Sequence, residues 1–566
     1  MYLLPTPKKL EIKEGTLQKK TVLIKNLCND PRIGKALEKL PCDGNGIEME
    51  IHCGIGKKEG YTLNIQNDKI ELVGESASGV FYGIQTLRQL LEQEIVPCMV
   101  IEDTPGFEYR GFYHDITRGK IPTVETMKNL IDQMAYYKMN SLQLYIEHTF
   151  PFKELGQHAE KNGYLTPEEI KEIDDYCYEN FIELIPSIAT FGHLFELLEQ
   201  EPYRELREII DFQADQLYWV QRMQHHTINP TDERSIEIVK SMIDQVTPLF
   251  RSNLFNICCD ETFDLENGVH KGQDIGRIYI DFVKKIIGHM QSKGKTVMMW
   301  ADILLKYPYV IEELKEDVEF LNWDYCAEPA EDAFKKIGDM MYTQIVCPGT
   351  STWARLVENV EVGAKNILKL GEYGYKHHAK GMLVTNWGDF GNPCSLELSM
   401  HGLVLGAAKS WNEDTCLDGS FEDSINRLLY KNPNAVCVLK RLSELQTKMD
   451  WSLLSLCYSN CIYEKKFDVC YPTKEIILYV KENCLKIIKE LENQRWECDE
   501  YRQEMLLTAE GILVMAELFA KLAGYKIERE SDPENWLNRY SEKWMQKNKA
   551  SELFRIQDMF HTLIVQ

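Results

Sequence analysis

Between Tyr109 and Trp387 the chain repeats one pattern eight times: a short, almost wholly apolar run, then a stretch with helical spacing. The runs are GFYHDI (111–116), SLQLYIE (141–147), IELIPSI (182–188), LFNICCD (254–260), TVMMWAD (296–302), VEFLNWDY (318–325), QIVCPGT (344–350) and GMLVTNW (381–387). A strand that is apolar on both faces needs cover on both, which is the condition of a parallel sheet clothed in helices. Segments such as TVETMKNLIDQMAYYKM and IGRIYIDFVKKIIGHMQSKG supply those helices. Eight such units fit a closed (β/α)8 TIM barrel better than an open sheet. The third connection, from Ala189 to Asn253, is long enough to carry an insertion over the barrel mouth.

The flanks have other rhythms. Residues 1–103 alternate apolar and polar in short runs (TVLIKN, GIEMEIH, YTLNIQN, KIELVG) and then show the amphipathic ASGVFYGIQTLRQLLEQ, the pattern of a small α+β domain. Pro105 and Gly106 break it after VIEDTP. Beyond Trp411 strand signals nearly vanish and Leu-rich period-3.6 spacing continues to the end. The expected organisation is therefore an α/β chain with a small α+β domain over 1–103, a (β/α)8 barrel over 104–410 and a mostly helical region over 411–566.

Charge narrows the partners. With 88 acidic against 64 basic residues the formal net charge is -24, which disfavours nucleic acid and anionic membrane surfaces. The first residues lack the apolar core of a signal peptide and no later window is long and apolar enough to span a bilayer, so a cytoplasmic protein with no membrane partner is expected. An oligomeric assembly is left open. The seventeen cysteines are spread along the chain, several within apolar strands (Cys258, Cys259, Cys347), and read as reduced core thiols. The closest pair, Cys457 and Cys461, lacks the second half of a zinc site, so neither a metal nor an organic cofactor is expected.

In such a barrel the functional groups belong at the C-terminal ends of the strands. In order, these ends carry Asp115; Glu147 and His148; His193; Asp260 and Glu261; Trp300 and Asp302; Trp323 and Tyr325; Trp353; Trp387 and Asp389. Acids and tryptophans on one rim suit a sugar, whose CH faces stack on flat rings and whose hydroxyls donate to carboxylates. Breaking a glycosidic bond needs a carboxyl that keeps its proton, and two adjacent acids oppose each other's ionisation. Neighbours on a regular strand point to opposite faces, so the Asp260–Glu261 pair is expected just past the strand, where the chain bends. Taken singly, each tryptophan is more often core than platform, and His193 could be a satisfied core histidine.

The ordered segments YRGFYHDITR, IPSIATFGH, NICCDE, MMWAD and TNWGD resemble those of the family 20 glycoside hydrolases, the β-N-acetylhexosaminidases, over roughly residues 1–410. The resemblance implies a terminal N-acetylhexosaminide as substrate and a retaining mechanism in which the substrate's own acetamido oxygen is the nucleophile. It implies Glu261 as general acid/base and Asp260 as the residue that orients the acetamido group. Arg110 is then expected on the O3 and O4 hydroxyls, Asp389 on O4 and O6, and Trp300, Trp323 and Trp387 around the sugar. His193 matches the family histidine and is expected at the substrate, while Ala189 stands where an aspartate is usual. Glu147 and His148 replace a pair of aspartates, with Glu147 expected at the substrate. CPGTSTW replaces the usual Trp-Tyr after strand 7, so Tyr325 is expected to donate to the acetamido oxygen instead. Two other readings stay open: a glycosidase with Glu147 or Asp302 as second catalytic carboxylate, and a sugar-binding barrel without catalysis.

Overall fold

The computed structural model describes residues 1–157, 159, 163–211, 217–314, 318–464 and 466–566. Its first unit is a six-stranded sheet of β1 (Lys9–Thr16), β2 (Val22–Asn26), β3 (Ile47–Cys53), β4 (Tyr61–Ile65), β5 (Lys69–Gly74) and β6 (Pro97–Asp103), in the order β1-β6-β4-β5-β3-β2. The period-2 pattern puts Tyr61, Leu63 and Ile65 of β4, and Ile70 and Leu72 of β5, on the buried face. The helix Ala77–Leu91 covers that face; Ser76 caps it by accepting from the Gly79 amide.

The second unit is a closed parallel barrel of β7 (Tyr109–Asp115), β8 (Ser141–Ile146), β9 (Glu183–Ile188), β10 (Leu254–Asn256), β11 (Thr296–Trp300), β12 (Val318–Trp323), β13 (Gln344–Cys347) and β14 (Gly381–Asn386). Every residue of β7, β8, β13 and β14 is buried, as strands wrapped by side chains inside and helices outside must be. β14 closes on β7 in the register Gly381↔Tyr109 to Asn386↔His114. The fourth strand is shorter than its apolar run. β10 stops at Asn256 because Cys258 and Cys259 adopt left-handed conformations (φ 57° and 64°) that no ladder accommodates.

The rest is helical: Ala435–Lys448, Trp451–Ile462, Lys474–Glu492, Asp499–Leu522, Pro533–Lys547 and Leu553–Val565 are its main elements. They seat on the loops after β7 and β14. The Trp451 indole donates to Phe390 O (3.0 Å), the Tyr540 hydroxyl to Pro393 O (3.0 Å) and the Thr123 amide to Lys547 O (2.9 Å). Among the described residues no helix is long and apolar enough to cross a membrane. All seventeen cysteines are free thiols.

One carboxylate ties the first unit to the barrel at two places, Lys138 and the last residue of the helix Met400–Trp411. Asp103, at the end of β6, accepts from the Tyr61 hydroxyl (2.8 Å), from Lys138 Nζ at the foot of the barrel (3.3 Å) and from the indole of Trp411 (3.0 Å). Lys138 is only 1% exposed, so its ammonium has no water to turn to. Asp103→Ala is therefore expected to lower unfolding stability by about 3–5 kcal/mol, the cost of breaking a buried ion pair from one side. Urea unfolding measures it; a loss under about 1 kcal/mol, the scale of an exposed pair, would contradict this arrangement.

Candidate active site

The site is built on the broken end of β10. Left-handed backbone at Cys258, Cys259 and Glu261 (φ 50°) turns the chain so that Asp260 and Glu261 line one pocket, which a regular strand forbids. Each left-handed non-glycine residue costs on the order of 1–3 kcal/mol, so the surroundings must hold the turn. They do so through its polar groups. Asn256 Oδ1 accepts from the Cys258 amide (2.9 Å), Cys258 O accepts from the Trp300 amide (3.1 Å), Cys259 O from the Tyr279 hydroxyl (2.7 Å), and Asp302 Oδ2 from the Glu261 amide (3.1 Å). Gly192 lies against the same turn, where a β-carbon would sit 2.5 Å from Asp260 O.

His193 stands between the acids. Its Nε2 is 3.4 Å from Asp260 Oδ2 and 3.4 Å from Glu261 Oε2. The ring stacks on His226 (centroids 4.5 Å apart, 3° between planes), whose Nδ1 accepts from the His193 amide at 2.7 Å. Burial works against a charge on His193, but Asp260 and Glu261 outweigh it and lift the imidazole to about 10. Burial and the His193 charge drive His226 the other way, well below the ordinary histidine range. For Glu261 burial pushes the carboxyl up, but His193 and Arg118 hold it below its ordinary value. The adjacent-acid argument thus locates no raised pKa on Glu261 in the free pocket. The raised carboxyls here are Asp302, which burial and the Asp260 charge push up to about 8, and Asp389, which burial raises against the pull of Arg118.

The cavity, about 190 Å³, is walled by Trp300, Trp323, Tyr325, Trp353 and Trp387 and by Arg118, Met223, Asp260, Glu261 and Asp389. Trp300 and Trp387 meet at 6.0 Å and 47°. Trp323 stacks flat on Tyr325 (5.1 Å, 20°), and the Trp387 indole donates to the Tyr325 hydroxyl at 2.7 Å, aiming that phenol. Burial keeps Tyr325 neutral, pushing its ionisation far above the ordinary range. A second cavity, about 240 Å³, adjoins across Glu261 and Trp323 and is lined by Phe263, Ile303 and Tyr307 among others.

Three sequence expectations are corrected, the first being His193, which holds both acids but is 2% exposed and does not line the cavity. Arg110 does not reach the pocket: it is the second residue of β7, at the opposite end of the barrel, where Nη1 pairs with Glu59 of the first unit (2.7 Å) and Nε donates to Lys138 O (3.0 Å). The pocket arginine is Arg118, three residues past the C-terminal end of the same strand, and the strand-end rule applied to β7 selects it. Glu147 is 6% exposed and does not line the cavity. Its oxygens take the Arg222 guanidinium (2.7 Å) and the Tyr145 hydroxyl (3.0 Å), with Arg118 at 3.5 Å. Burial would raise its pKa, yet Arg222 and Arg118 pull it down to about 2. Asp302 lines the second cavity and holds the Glu261 amide. Met223 enters from the long β9–β10 connection, which carries no periodic signal that marks it.

Arg118 is itself enclosed by charge. Burial disfavours its cation, but Asp389, Tyr145 and Asp115 hold it protonated far above the ordinary value. Its Nε is 3.1 Å from Asp389 Oδ1, and its plane lies over the Trp387 ring (4.9 Å). Asp115 fixes the loops on both sides, accepting from the Thr117 amide (2.9 Å) and the Gly388 amide (3.0 Å). The result is a cup with aromatic walls, a cation–carboxylate pair at one edge and two carboxyls at the other, with His193 buried behind them.

The chain's residues 107–415 match the model of the glycosyl hydrolase family 20 catalytic domain, and residues 52–104 match that of family 20 domain 2. A beta-hexosaminidase of Porphyromonas gingivalis is 27% identical over 308 residues, covering 46% of this chain and 38% of that protein. The chain thus spans well under half the length of that relative. Among solved structures, the Flavobacterium johnsoniae chitobiase aligns with a TM-score of 0.62 at 16% identity over 99% of this chain and 98% of its own. The exo beta-N-acetylglucosaminidase of Vibrio harveyi, solved with N-acetylglucosamine, aligns at 0.60 and 19% over 75% of each chain. At those identities the likeness is one of fold.

The geometry makes His193 a cation across the neutral range. Nitrogen-detected NMR of the imidazole should show it protonated until about pH 10. In Asp260→Asn the titration should move down, because the negative charge that holds the proton is gone. A wild-type titration near the ordinary histidine value of about 6.5 would contradict the electrostatics described here.

Proposed function

The chain belongs to glycosyl hydrolase family 20, and from that premise we propose that it is an exo-acting, retaining β-N-acetylhexosaminidase that removes terminal N-acetylglucosamine or N-acetylgalactosamine with the help of the substrate's acetamido group. The observation that carries this reading is the turn at residues 258–261, which gives two adjacent acids to one aromatic cup. An enzyme using a separate protein nucleophile needs its second carboxylate free and facing the sugar. Glu147 is taken up by arginines, and Asp302 faces the other cavity while holding a backbone amide.

In this reading the sugar occupies the smaller cavity with its apolar face on Trp300 and Trp387. Arg118 and Asp389 meet its ring hydroxyls, the role first assigned to Arg110 and Asp389. Asp260 accepts the acetamido N–H while Tyr325 donates to the acetamido oxygen, so the oxygen points at the anomeric carbon. As that oxygen bonds to the carbon, the glycosidic bond breaks and Glu261 gives the departing oxygen a proton, one that the carboxylate takes up when the bound sugar shuts water away from it, since desolvation raises a carboxyl. The oxazolinium positive charge then lies against the Asp260 carboxylate, where it is stabilised. In the second half Glu261 takes a proton from water, the water oxygen adds to the anomeric carbon, and the ring opens to restore the acetamide. Glu261 separates the two cavities, which supports a leaving group held beside Phe263 and Tyr307.

Two comparisons test the proposal. Aryl N-acetyl-β-glucosaminides should be hydrolysed and the matching β-glucosides left nearly untouched, since the latter lack the internal nucleophile. Glu261→Gln should cost about 10²- to 10⁴-fold with a disaccharide, the usual worth of proton donation, and far less with an activated aryl leaving group. Equal rates on glucoside and N-acetylglucosaminide, a covalent adduct with a 2-fluoroglycoside, or full disaccharide turnover by Glu261→Gln would each overturn it.

A further inference from the structure

Behind the pocket the buried charges form one continuous chain, and its far end is not in the barrel. Arg118, the pocket arginine, has Nη2 3.5 Å from Glu147 Oε1. Glu147 Oε2 accepts from Arg222 Nη2 at 2.7 Å, and Arg222 turns Nη1 to Glu552 Oε1 at 3.1 Å. Arg222 is 4% exposed and Glu552 2%. Glu552 immediately precedes the helix Leu553–Val565, and the segment leading to it is bonded to the loop that carries Arg118. The Lys549 amide donates to Ile121 O (2.8 Å), and Ser551 Oγ and the Glu552 amide donate to Gly119 O (2.6 and 3.4 Å).

Arg222 bridges two carboxylates, one on each side of its planar fork. Glu147 in turn divides its two oxygens, giving one to Arg222 and the other to Tyr145 and Arg118. Remove the charge on Glu552 and a buried guanidinium loses one of its ion-pair partners, leaving Glu147 and the nearby charge of Glu196. Glu147 is then drawn more fully onto Arg222, and the side of it that faces Arg118 is lost. One of the three carboxylates around a sugar-facing cation, beside Asp115 and Asp389, is thus tied to a residue that the chain supplies only after the barrel is complete.

We propose that Glu552 is a positioning residue for the sugar pocket: by bracing Arg222 it orients Glu147 and, through it, Arg118, so that the C-terminal helical region completes the site. This rests on the reading of the pocket as an N-acetylhexosamine site. The test is a double-mutant cycle in the full chain with an activated aryl N-acetyl-β-glucosaminide. Glu552→Gln should lower kcat/KM by about tenfold, a coupling of the size adjacent network members show, whereas in an Arg118→Ala background the same change should cost under about twofold. A residue that only supports the fold would cost the same factor in both backgrounds, and that result would overturn the proposal, as would full activity in Glu552→Gln. If Glu552→Gln does not fold, Glu552→Asp, which keeps the charge but withdraws it, carries the same cycle; failure of both to fold would show a purely structural role and overturn it. Should the wild type turn over no N-acetylhexosaminide, the reaction reading fails, and the cycle is read instead in calorimetric affinity for N-acetylglucosamine. Absence of that binding would remove the positioning role with it.

Discussion

The site depends on a turn that the backbone resists. A parallel strand alternates its side chains, so two consecutive acids on β10 would face opposite ways, one into the pocket and one into the surrounding helices. Left-handed conformations at Cys258, Cys259 and Glu261 abolish that alternation. What holds them is a shell that gives each strained peptide a partner: Asn256 and Asp302 as acceptors, the Tyr279 hydroxyl and the Trp300 amide as donors, and Gly192 as the space in which Asp260 O can lie. Much of what is buried beneath the pocket serves that turn, and the sequence IPSIATFGH makes sense as part of it.

Around the turn the pocket is organised by charge. Taking ions out of water is costly, and buried pairs rarely add stability beyond what well-packed apolar residues would give. A site whose charges must be in place before the substrate arrives has a different use for them: fixed dipoles and ions need no reorganisation at the moment of reaction. Arg118, held among Asp389, Asp115 and Glu147, and His193, held between Asp260 and Glu261, are of this kind. The depressed Glu147 and the elevated His193 express the same fact, each ion being kept charged by its neighbours despite burial.

What could be read from the sequence followed from local rules. The eight strands were legible because burial on both faces leaves continuous apolar runs, and the rim residues because strand ends face one way. The bend was foreseen from the adjacency of Asp260 and Glu261, although not the cysteines that make it. The errors have physical sources. Arg110 lies at the start of a strand whose functional end comes further on, at Arg118. Glu147 is a strand-end acid like Asp260, and only the arrival of Arg222 from the long connection shows that its charge is already spoken for. Met223 comes from a short irregular turn without periodicity, and Glu552 from 330 residues beyond Arg222. Contacts made across that span leave no mark in spacing.

The central claim is that Asp260 acts on the acetamido group and on the positive charge that group acquires. The most direct measurement is calorimetric affinity for two ligands, N-acetylglucosamine and a thiazoline analogue of the oxazolinium ring, in wild type and Asp260→Asn. The wild type should bind the thiazoline at least about a hundredfold more tightly, as intermediate mimics do. Asp260→Asn should erase most of that preference while changing the affinity for N-acetylglucosamine much less. Equal weakening of both ligands would mean that Asp260 only shapes the pocket, and would contradict the account.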